Sequence, residues 1–216
     1  MELTLRPETP ADFRACEALT RAAFWDVYQP GCMEHHFLHQ LRQSPAYLPP
    51  LARLAFDGDT LVGAIYYARS QVVRPDGSAV DTVTFGPLGV LPEYQGRGVG
   101  GALIRDTLAR AADEGHAAAV ILGDPRYYGR FGFHGCERFD LKLENGMYLP
   151  GLLALELRRG ALAGGGRFRE GFRYDPEGLD AFDGNFPVRE KTVRPSQAVF
   201  QVMCDLGYEV SGDGSL

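Results

Sequence analysis

A glycine-rich segment between a strand pattern and a helix pattern constrains this chain more than any other feature. It reads Leu88-Gly-Val-Leu-Pro-Glu-Tyr-Gln-Gly-Arg-Gly-Val-Gly-Gly-Ala-Leu103, with Pro92 opening a turn. The first N–H groups of a helix have no partner within it, and the helix dipole places partial positive charge there. Side chains that would block an anion are missing at four positions: Gly96, Gly98, Gly100 and Gly101. We therefore predict that a phosphate or pyrophosphate group binds at this turn.

Length, composition and cysteine spacing narrow the class of protein. The chain has 216 residues, 45% of them hydrophobic, which suffices for one large domain core. No apolar stretch approaches the roughly 20 residues of a membrane span, and the N-terminus lacks a secretory signal pattern. The four cysteines are far apart in sequence: Cys16, Cys32, Cys136 and Cys204. We expect free thiols in a reducing cytoplasm.

The charge distribution favours a small anionic ligand. A formal net charge of −6 argues against a general nucleic-acid binder, which would carry a basic stripe. Five arginines nevertheless lie in or after the glycine segment: Arg97, Arg105, Arg110, Arg126 and Arg130. An acidic chain with one basic neighbourhood suits a compact polyanion better than a long one.

Hydrophobic periodicity predicts the element order β-α-α-β-β-β-α-β-α-β-β. The predicted strands cover residues 3–5, 51–56, 61–73, 80–90, 117–122, 139–143 and 152–157, and the predicted helices 10–25, 33–42, 99–114, 127–131 and 196–206. Hairpins followed by one crossover unit predict an α/β fold with a mixed sheet and helices on both faces. A run of three glycines at 164–166 divides a predicted domain, residues 1–163, from an extension, residues 164–216.

The glycine segment has three other possible interpretations. The pattern Gly96-x-Gly98-x-x-Gly101 satisfies a dinucleotide fingerprint, but five residues including Pro92 separate it from the strand. A P-loop requires Gly-Lys-Ser/Thr, which does not follow. A tight turn without a ligand is the remaining alternative.

Two motifs resemble a known family. Gln95-Gly-Arg-Gly-Val-Gly100 resembles the Gln/Arg-x-x-Gly-x-Gly/Ala signature of the GNAT superfamily of N-acetyltransferases. Downstream, Leu122-Gly-Asp-Pro-Arg-Tyr-Tyr-Gly-Arg-Phe-Gly-Phe133 is similar to a second motif, in particular of the predicted acetyltransferase branch named after bacterial YhbS. The resemblance covers residues 3–160. It implies a mostly antiparallel twisted sheet whose two central strands splay apart around acetyl-CoA.

The resemblance also implies which residues bind the coenzyme. Main-chain groups of Leu88, Gly89 and Val90 would pair with the pantetheine arm, and Gly86-Pro87 just upstream is an expected bulge. The remaining coenzyme-binding residues that it implies are Gln95, Gly96, Arg97, Gly98, Val99, Gly100, Gly101, Asp124 and Arg130.

The catalytic groups are less completely predicted. Tyr128, in the second motif, matches the position where members of the superfamily often carry a general acid. Many members place a base on the strand before the glycine loop, but residues 82–90 contain no carboxylate. Glu34, His35, His36 or solvent are the alternatives. His35 and His39 have helical spacing for zinc, but no third ligand stands nearby, so we predict no metal site.

We therefore predict an acetyl-CoA-dependent N-acetyltransferase that acts on a small-molecule or peptide amine. The alternative is a non-catalytic acyl-CoA-binding regulatory or protein-interaction module on the same fold. The extension is expected to cover either the acceptor site or a homodimer face, and we expect neither nucleic acid nor membrane as a partner.

Overall fold

One sheet of nine strands organises the structure, a computed structural model that describes residues 2–205. The strands are β1 (Leu3–Pro7), β2 (Arg53–Asp57), β3 (Thr60–Val73), β4 (Ala79–Val90), β5 (Ala118–Leu122), β6 (His134–Gly135), β7 (Leu141–Lys142), β8 (Leu152–Glu156) and β9 (Gly166–Glu170). The helices are α1 (Phe13–Phe24), α2 (Glu34–Leu41), α3 (Val99–Asp113), α4 (Pro125–Tyr128), α5 (Leu179–Asp183) and α6 (Pro195–Asp205). None of the helices in this described part is long and apolar enough to cross a membrane.

The sheet is mixed and mostly antiparallel, as predicted. Its main path runs β1-β2-β3-β4-β5-β8-β6, and β9 pairs with both β3 and β7. The β4–β5 and β7–β9 pairs are parallel, and the other pairs are antiparallel. The parallel β4–β5 pair is joined by α3, the single crossover that the sequence predicts.

The central strands β4 and β5 separate along their length. They share one register pair, Val83 with Ala119. Further along β4, Gly86 and Pro87 together lie opposite Tyr66 of β3, which confirms the bulge expected there. Beyond the bulge, Leu88–Val90 pair with β3 on one edge, while no strand in residues 2–205 pairs with their other edge.

Successive side chains of a strand point to opposite faces of the sheet, so the hydrophobic core has a part on each face. On the first, which we call the α3 face, Ile65 and Val83 pack with Leu103 of α3. On the second, the α1–α2 face, Tyr66 packs with Leu38 of α2. Each of these five side chains is fully buried, so both faces are covered by helices.

Several predicted elements differ in the structure. The strand predicted at residues 139–143 is wrong: Cys136–Phe139 form a 3-10 turn, and Asp140 has a left-handed φ of 51°, so that only the two residues of β7 remain extended. The helices predicted from residues 10 and 127 are each divided between an α-helix and a 3-10 turn. The helix predicted at residues 196–206 is α6, with Leu206 outside the described residues.

The extension contains two elements that periodicity does not predict, β9 and α5. β9 lengthens the sheet at the edge of β3, and Phe168 within it is 4% exposed. α5 lies on α1 and α2, where Asp183 accepts hydrogen bonds from Arg21 at 2.6 and 3.2 Å. The extension therefore packs on the sheet and on both N-terminal helices, while the boundary at residue 163 stays a prediction.

Candidate active site

A cleft of about 580 Å³ opens where β4 and β5 separate. One wall is the end of α1 with the loop after it, and the opposite wall is α4 with the 3-10 turn that follows. Leu88 and Val90 of β4 form the inner end, and the glycine turn with the start of α3 forms the rest. The cleft therefore joins the open edge of β4 to a helix N-terminus.

The glycine turn presents bare backbone to this cleft. Gly98, the N-cap of α3, has a φ of 89°, and Gly96 has a φ of 71°. A Cβ atom at either position would meet no atom within 4 Å, so the space in front of both residues is open. The N–H of Ala102 donates to the Gly98 carbonyl at 2.9 Å, so the three amides before it have no acceptor within the helix. This is the geometry of an anion site.

Residues 91–95, which lead from β4 into the glycine turn, are held by two hydrogen bonds. Nε2 of Gln95 donates to the carbonyl of Val90 at 3.1 Å, and the N–H of Leu91 donates to Val62 at 3.0 Å. The first bond joins the end of β4 to the turn and the second joins residue 91 to β3, so both help to fix the strand edge relative to the helix N-terminus.

Aromatic rings and two arginines line the cleft beside the glycines. A Cβ atom on Gly100 would lie 2.9 Å from the hydroxyl of Tyr127, so only a glycine leaves this approach free. The guanidinium of Arg130 lies 4.9 Å from the Tyr127 ring centre, and that of Arg105 lies 5.8 Å from the Phe131 ring centre. Both cations border the cleft and complement a polyanion.

Tyr128 lies at the inner end of the cleft. Its ring packs on the backbone of Gly123, where any Cβ atom would collide with it, and its ring centre is 5.8 Å from that of Phe85 and 5.9 Å from that of Phe133. Burial raises the pKa of the Tyr128 hydroxyl well above its usual value. The side chain is therefore protonated at neutral pH, as a proton donor must be.

Most of the predicted site residues border this cleft. They are Leu88, Val90, Gln95, Gly96, Gly98, Val99, Gly100, Gly101, Tyr128 and Arg130. Three others do not. A Cβ on Gly89 would contact Leu19 of α1 at 3.1 Å, the guanidinium of Arg97 lies over the Tyr94 ring, and the carboxylate of Asp124 caps α4 and pairs with Arg126 at 2.7 Å.

One whole wall of the cleft contains none of the predicted site residues. This wall comprises Ala23, Phe24, Val27 and Tyr28. Tyr94, Tyr127 and Phe131 also border the cleft, as does Arg105, which the sequence singles out only as one of several nearby cations. The residues of this wall are distant in sequence from the glycine motif, and the two aromatic residues among them are the only sequence signal for a binding surface here.

None of the three candidate bases borders the cleft. The carboxylate of Glu34 accepts the N–H of Met33 at 2.9 Å at the start of α2. His35 is fully buried, with Asp183 at 3.0 Å on one side and the Cys32 sulfur at 3.4 Å on the other. Nδ1 of His36 lies 3.1 Å from the hydroxyl of Tyr174 in the extension. None of the three is therefore placed to act as a general base in this cleft.

Cys32, His35 and Asp183 follow the order of a nucleophile, a base and an orienting carboxylate, but their environment opposes that chemistry. Burial raises the pKa of the Cys32 thiol to about 12 and lowers the pKa of His35 to about 4. Both groups are thus neutral at pH 7, and neither borders a cavity found in the described part of the chain. We interpret this cluster as the contact that holds α5 on α1 and α2.

The buried His35 makes stability depend on pH. Its pKa is 6.5 in an ordinary environment and about 4 here, so between these values the unfolded chain binds more protons than the folded protein. Stability therefore falls as the pH falls through this window, by about 2 kcal/mol between about pH 7 and pH 5. Denaturant unfolding of the parent protein and of His35→Gln at both pH values measures it. A pH dependence that is the same in the two proteins would contradict the assignment.

Comparison with known proteins identifies relatives. A profile described as the acetyltransferase (GNAT) domain matches residues 4–136. The uncharacterized N-acetyltransferase YhbS of Escherichia coli is 32% identical over 140 residues, which cover 65% of this chain and 78% of that protein. The uncharacterized N-acetyltransferase YjhQ of the same species is 38% identical over 88 residues, 41% of this chain and 48% of that protein.

Two solved structures share the fold and contain the coenzyme. The crystal structure of Escherichia coli YhbS in complex with CoA has a TM-score of 0.68 and 27% identity, covering 81% of this chain and 94% of that one. A GNAT family acetyltransferase from Brucella melitensis in complex with acetyl-CoA has a TM-score of 0.63 and 27% identity, covering 78% of this chain and 95% of that one.

Proposed function

This chain belongs to the GNAT acetyltransferase family, and we propose that it transfers the acetyl group of acetyl-CoA to a primary amine. The donor half of the reaction is assigned to the cleft between β4 and β5. The acceptor is a small molecule or a peptide that carries the amine.

The residues present fit acetyl-CoA. The N–H groups at the start of α3, with Gly96 and Gly98 open in front of them, would bind the pyrophosphate. Arg105 and Arg130 would add charge at the same end of the cleft. The relatives crystallised with CoA and acetyl-CoA support this interpretation.

The free edge of β4 would position the reacting end of the donor. Main-chain groups of Leu88 and Val90 have no strand partner on this edge in the described structure and can pair with the amides of the pantetheine arm, whereas Gly89 directs its main-chain groups to β3. An N–H on the same edge would face the thioester oxygen, where negative charge develops as the amine attacks.

Tyr128 is proposed as the general acid. Acetyl-CoA supplies an activated acetyl group, and attack by the amine nitrogen on its carbonyl carbon breaks the carbon–sulfur bond. Tyr128, whose hydroxyl is protonated at neutral pH, then donates its proton to the leaving sulfur. A thiol has an ordinary pKa of about 8.5, so this proton lowers the barrier without being indispensable.

One observation carries the proposal: the unpaired edge of β4 runs from the glycine turn to Tyr128 within a single cleft. The test is release of free thiol from acetyl-CoA across a panel of primary amines. Amine-dependent release is expected. If acetyl-CoA binds and no amine raises the rate above background, the chain is instead an acyl-CoA-binding module without catalysis.

A further inference from the structure

A second cavity, of about 620 Å³, lies at the end of β5 on the other face of the sheet from α3. Leu122, Leu152 and Phe168 provide apolar surface in its lining. Leu122 alternates with Ile121, which packs on the α3 face, so its side chain points to the α1–α2 face. It is 55% exposed, although the strand it ends is otherwise buried. The apolar side chain of Leu122 is therefore exposed in this cavity, where a ligand can contact it.

Glu170 of the extension lines this cavity. It is the last residue of β9 and lies opposite Ser70 of β3, whose Oγ is 2.8 Å from Oγ1 of Thr82 on β4. Side chains opposite each other in an antiparallel pair share a face. Glu170, Ser70 and Thr82 therefore form a row across the α1–α2 face. The row ends beside Val83, the point where β4 and β5 separate.

The charges around the cavity leave Glu170 free. Glu144 accepts hydrogen bonds from Arg169 at 2.9 Å and from Arg173 at 3.5 Å. Glu170 has no hydrogen-bond or ion-pair partner for its carboxylate among residues 2–205. The surrounding protein removes part of its hydration and raises its pKa, and the negative charge of Glu144 adds to the effect while Arg173 opposes it. A carboxylate whose pKa is raised accepts a proton more readily than an ordinary surface carboxylate does.

This cavity and Tyr128 lie on opposite faces of the sheet at the end of β5. Leu122 lines the cavity, and the next residue, Gly123, carries the Tyr128 ring against its backbone. Beyond Val83 and Ala119 no register pair joins β4 to β5 in the described residues, so this part of the sheet is open beside the end of β5. An amine held in the cavity would thus approach the thioester from the face opposite to that on which Tyr128 reaches the sulfur.

We infer that this cavity binds the acceptor, a primary amine on an apolar group, and that Glu170 holds the ammonium and takes its proton. The inference rests on the proposed acetyl transfer. Glu170 accepts one proton from the ammonium and passes it to solvent. The nitrogen forms its bond to the carbonyl carbon, the carbon–sulfur bond breaks, and the thiolate takes the proton of Tyr128. The second proton lost by the nitrogen restores the Tyr128 hydroxyl.

The test compares the parent protein with Glu170→Gln and with Glu177→Gln, an exposed glutamate of the same extension that lines neither cavity. Phenethylamine and hexylamine serve as acceptors, and thiol release gives the rates. For Glu170→Gln we expect kcat/KM for the amine to fall about 100-fold at pH 7, with the acidic limb of its pH profile lost. The KM for acetyl-CoA stays unchanged, and Glu177→Gln behaves as the parent.

Calorimetric titration of phenethylamine into the CoA-bound protein separates this inference from the function itself. Binding at least about 10-fold weaker to Glu170→Gln than to Glu177→Gln supports the site, even if no variant turns the amine over and the proposed transfer fails. If kcat/KM for the amine is the same in Glu170→Gln as in the parent protein, the inference is overturned, but the proposed acetyl transfer is not. A parent protein that neither binds nor acetylates either amine also overturns it.

Discussion

Gly100→Val is expected to weaken the binding of CoA by about 1,000-fold, which corresponds to about 4 kcal/mol. The valine side chain would project from the first turn of α3 into the cleft, where a Cβ atom already lies 2.9 Å from the Tyr127 hydroxyl. It would displace the pyrophosphate from the free amides, and each hydrogen bond to a charged group contributes about 1.5–3 kcal/mol. Isothermal titration with CoA measures the loss.

The fold is expected to tolerate this change, because Gly100 has helical backbone geometry and the atom nearest to the added Cβ is the terminal hydroxyl of Tyr127, with the next contacts at 3.7 Å or more. Ala112→Val, on the exposed side of the same helix, is the matched control for a β-branched residue in α3. Both variants should melt within a few degrees of the parent protein. An unchanged affinity for CoA in folded Gly100→Val would remove the donor site from this cleft.

Tyr128→Phe is expected to lower kcat about 100-fold, or about 2.7 kcal/mol in the barrier, because the sulfur then leaves without a proton donor. The phenylalanine ring retains the packing on Gly123, Phe85 and Phe133, so stability and CoA affinity should stay as in the parent. Steady-state kinetics with saturating acetyl-CoA and an active amine measure the change.

Tyr127→Phe is the control for this experiment, since it removes the hydroxyl of the adjacent tyrosine in the same cleft. Its hydroxyl lies beside Gly100, so the substitution should act on coenzyme affinity and leave kcat within a few-fold of the parent value. Equal values of kcat for the parent and Tyr128→Phe would exclude the acid role and leave Tyr128 as a packing residue.

The backbone features that local sequence determines are present in the structure as predicted. The glycine turn requires positive φ at Gly96 and Gly98, and the bulge at Gly86-Pro87 follows from the missing donor of proline. Both are properties of a few adjacent residues. Asp124 was assigned to the coenzyme from its motif, yet its carboxylate caps a helix, a role that Asp before a helix often takes.

The parts that depend on distant contacts were not predicted. β9 has only the short alternating pattern Arg167-Phe-Arg-Glu170, and its pairing with β3 brings together residues about a hundred positions apart. His35 was a candidate base until the structure placed it beneath α5, against Asp183. Chain folding decides which titratable groups reach a cleft, and residue spacing alone does not reveal it.

We propose that one cleft holds the coenzyme and delivers its acetyl group to an amine. A single reaction with isotope-labelled acetyl-CoA and phenethylamine or another active amine tests it most directly, with labelled amide and free thiol both quantified. We expect the two products in equal amounts, and neither from Gly100→Val at a coenzyme concentration that saturates the parent protein. Thiol release without labelled amide, or transfer that Gly100→Val retains in full, would contradict the claim.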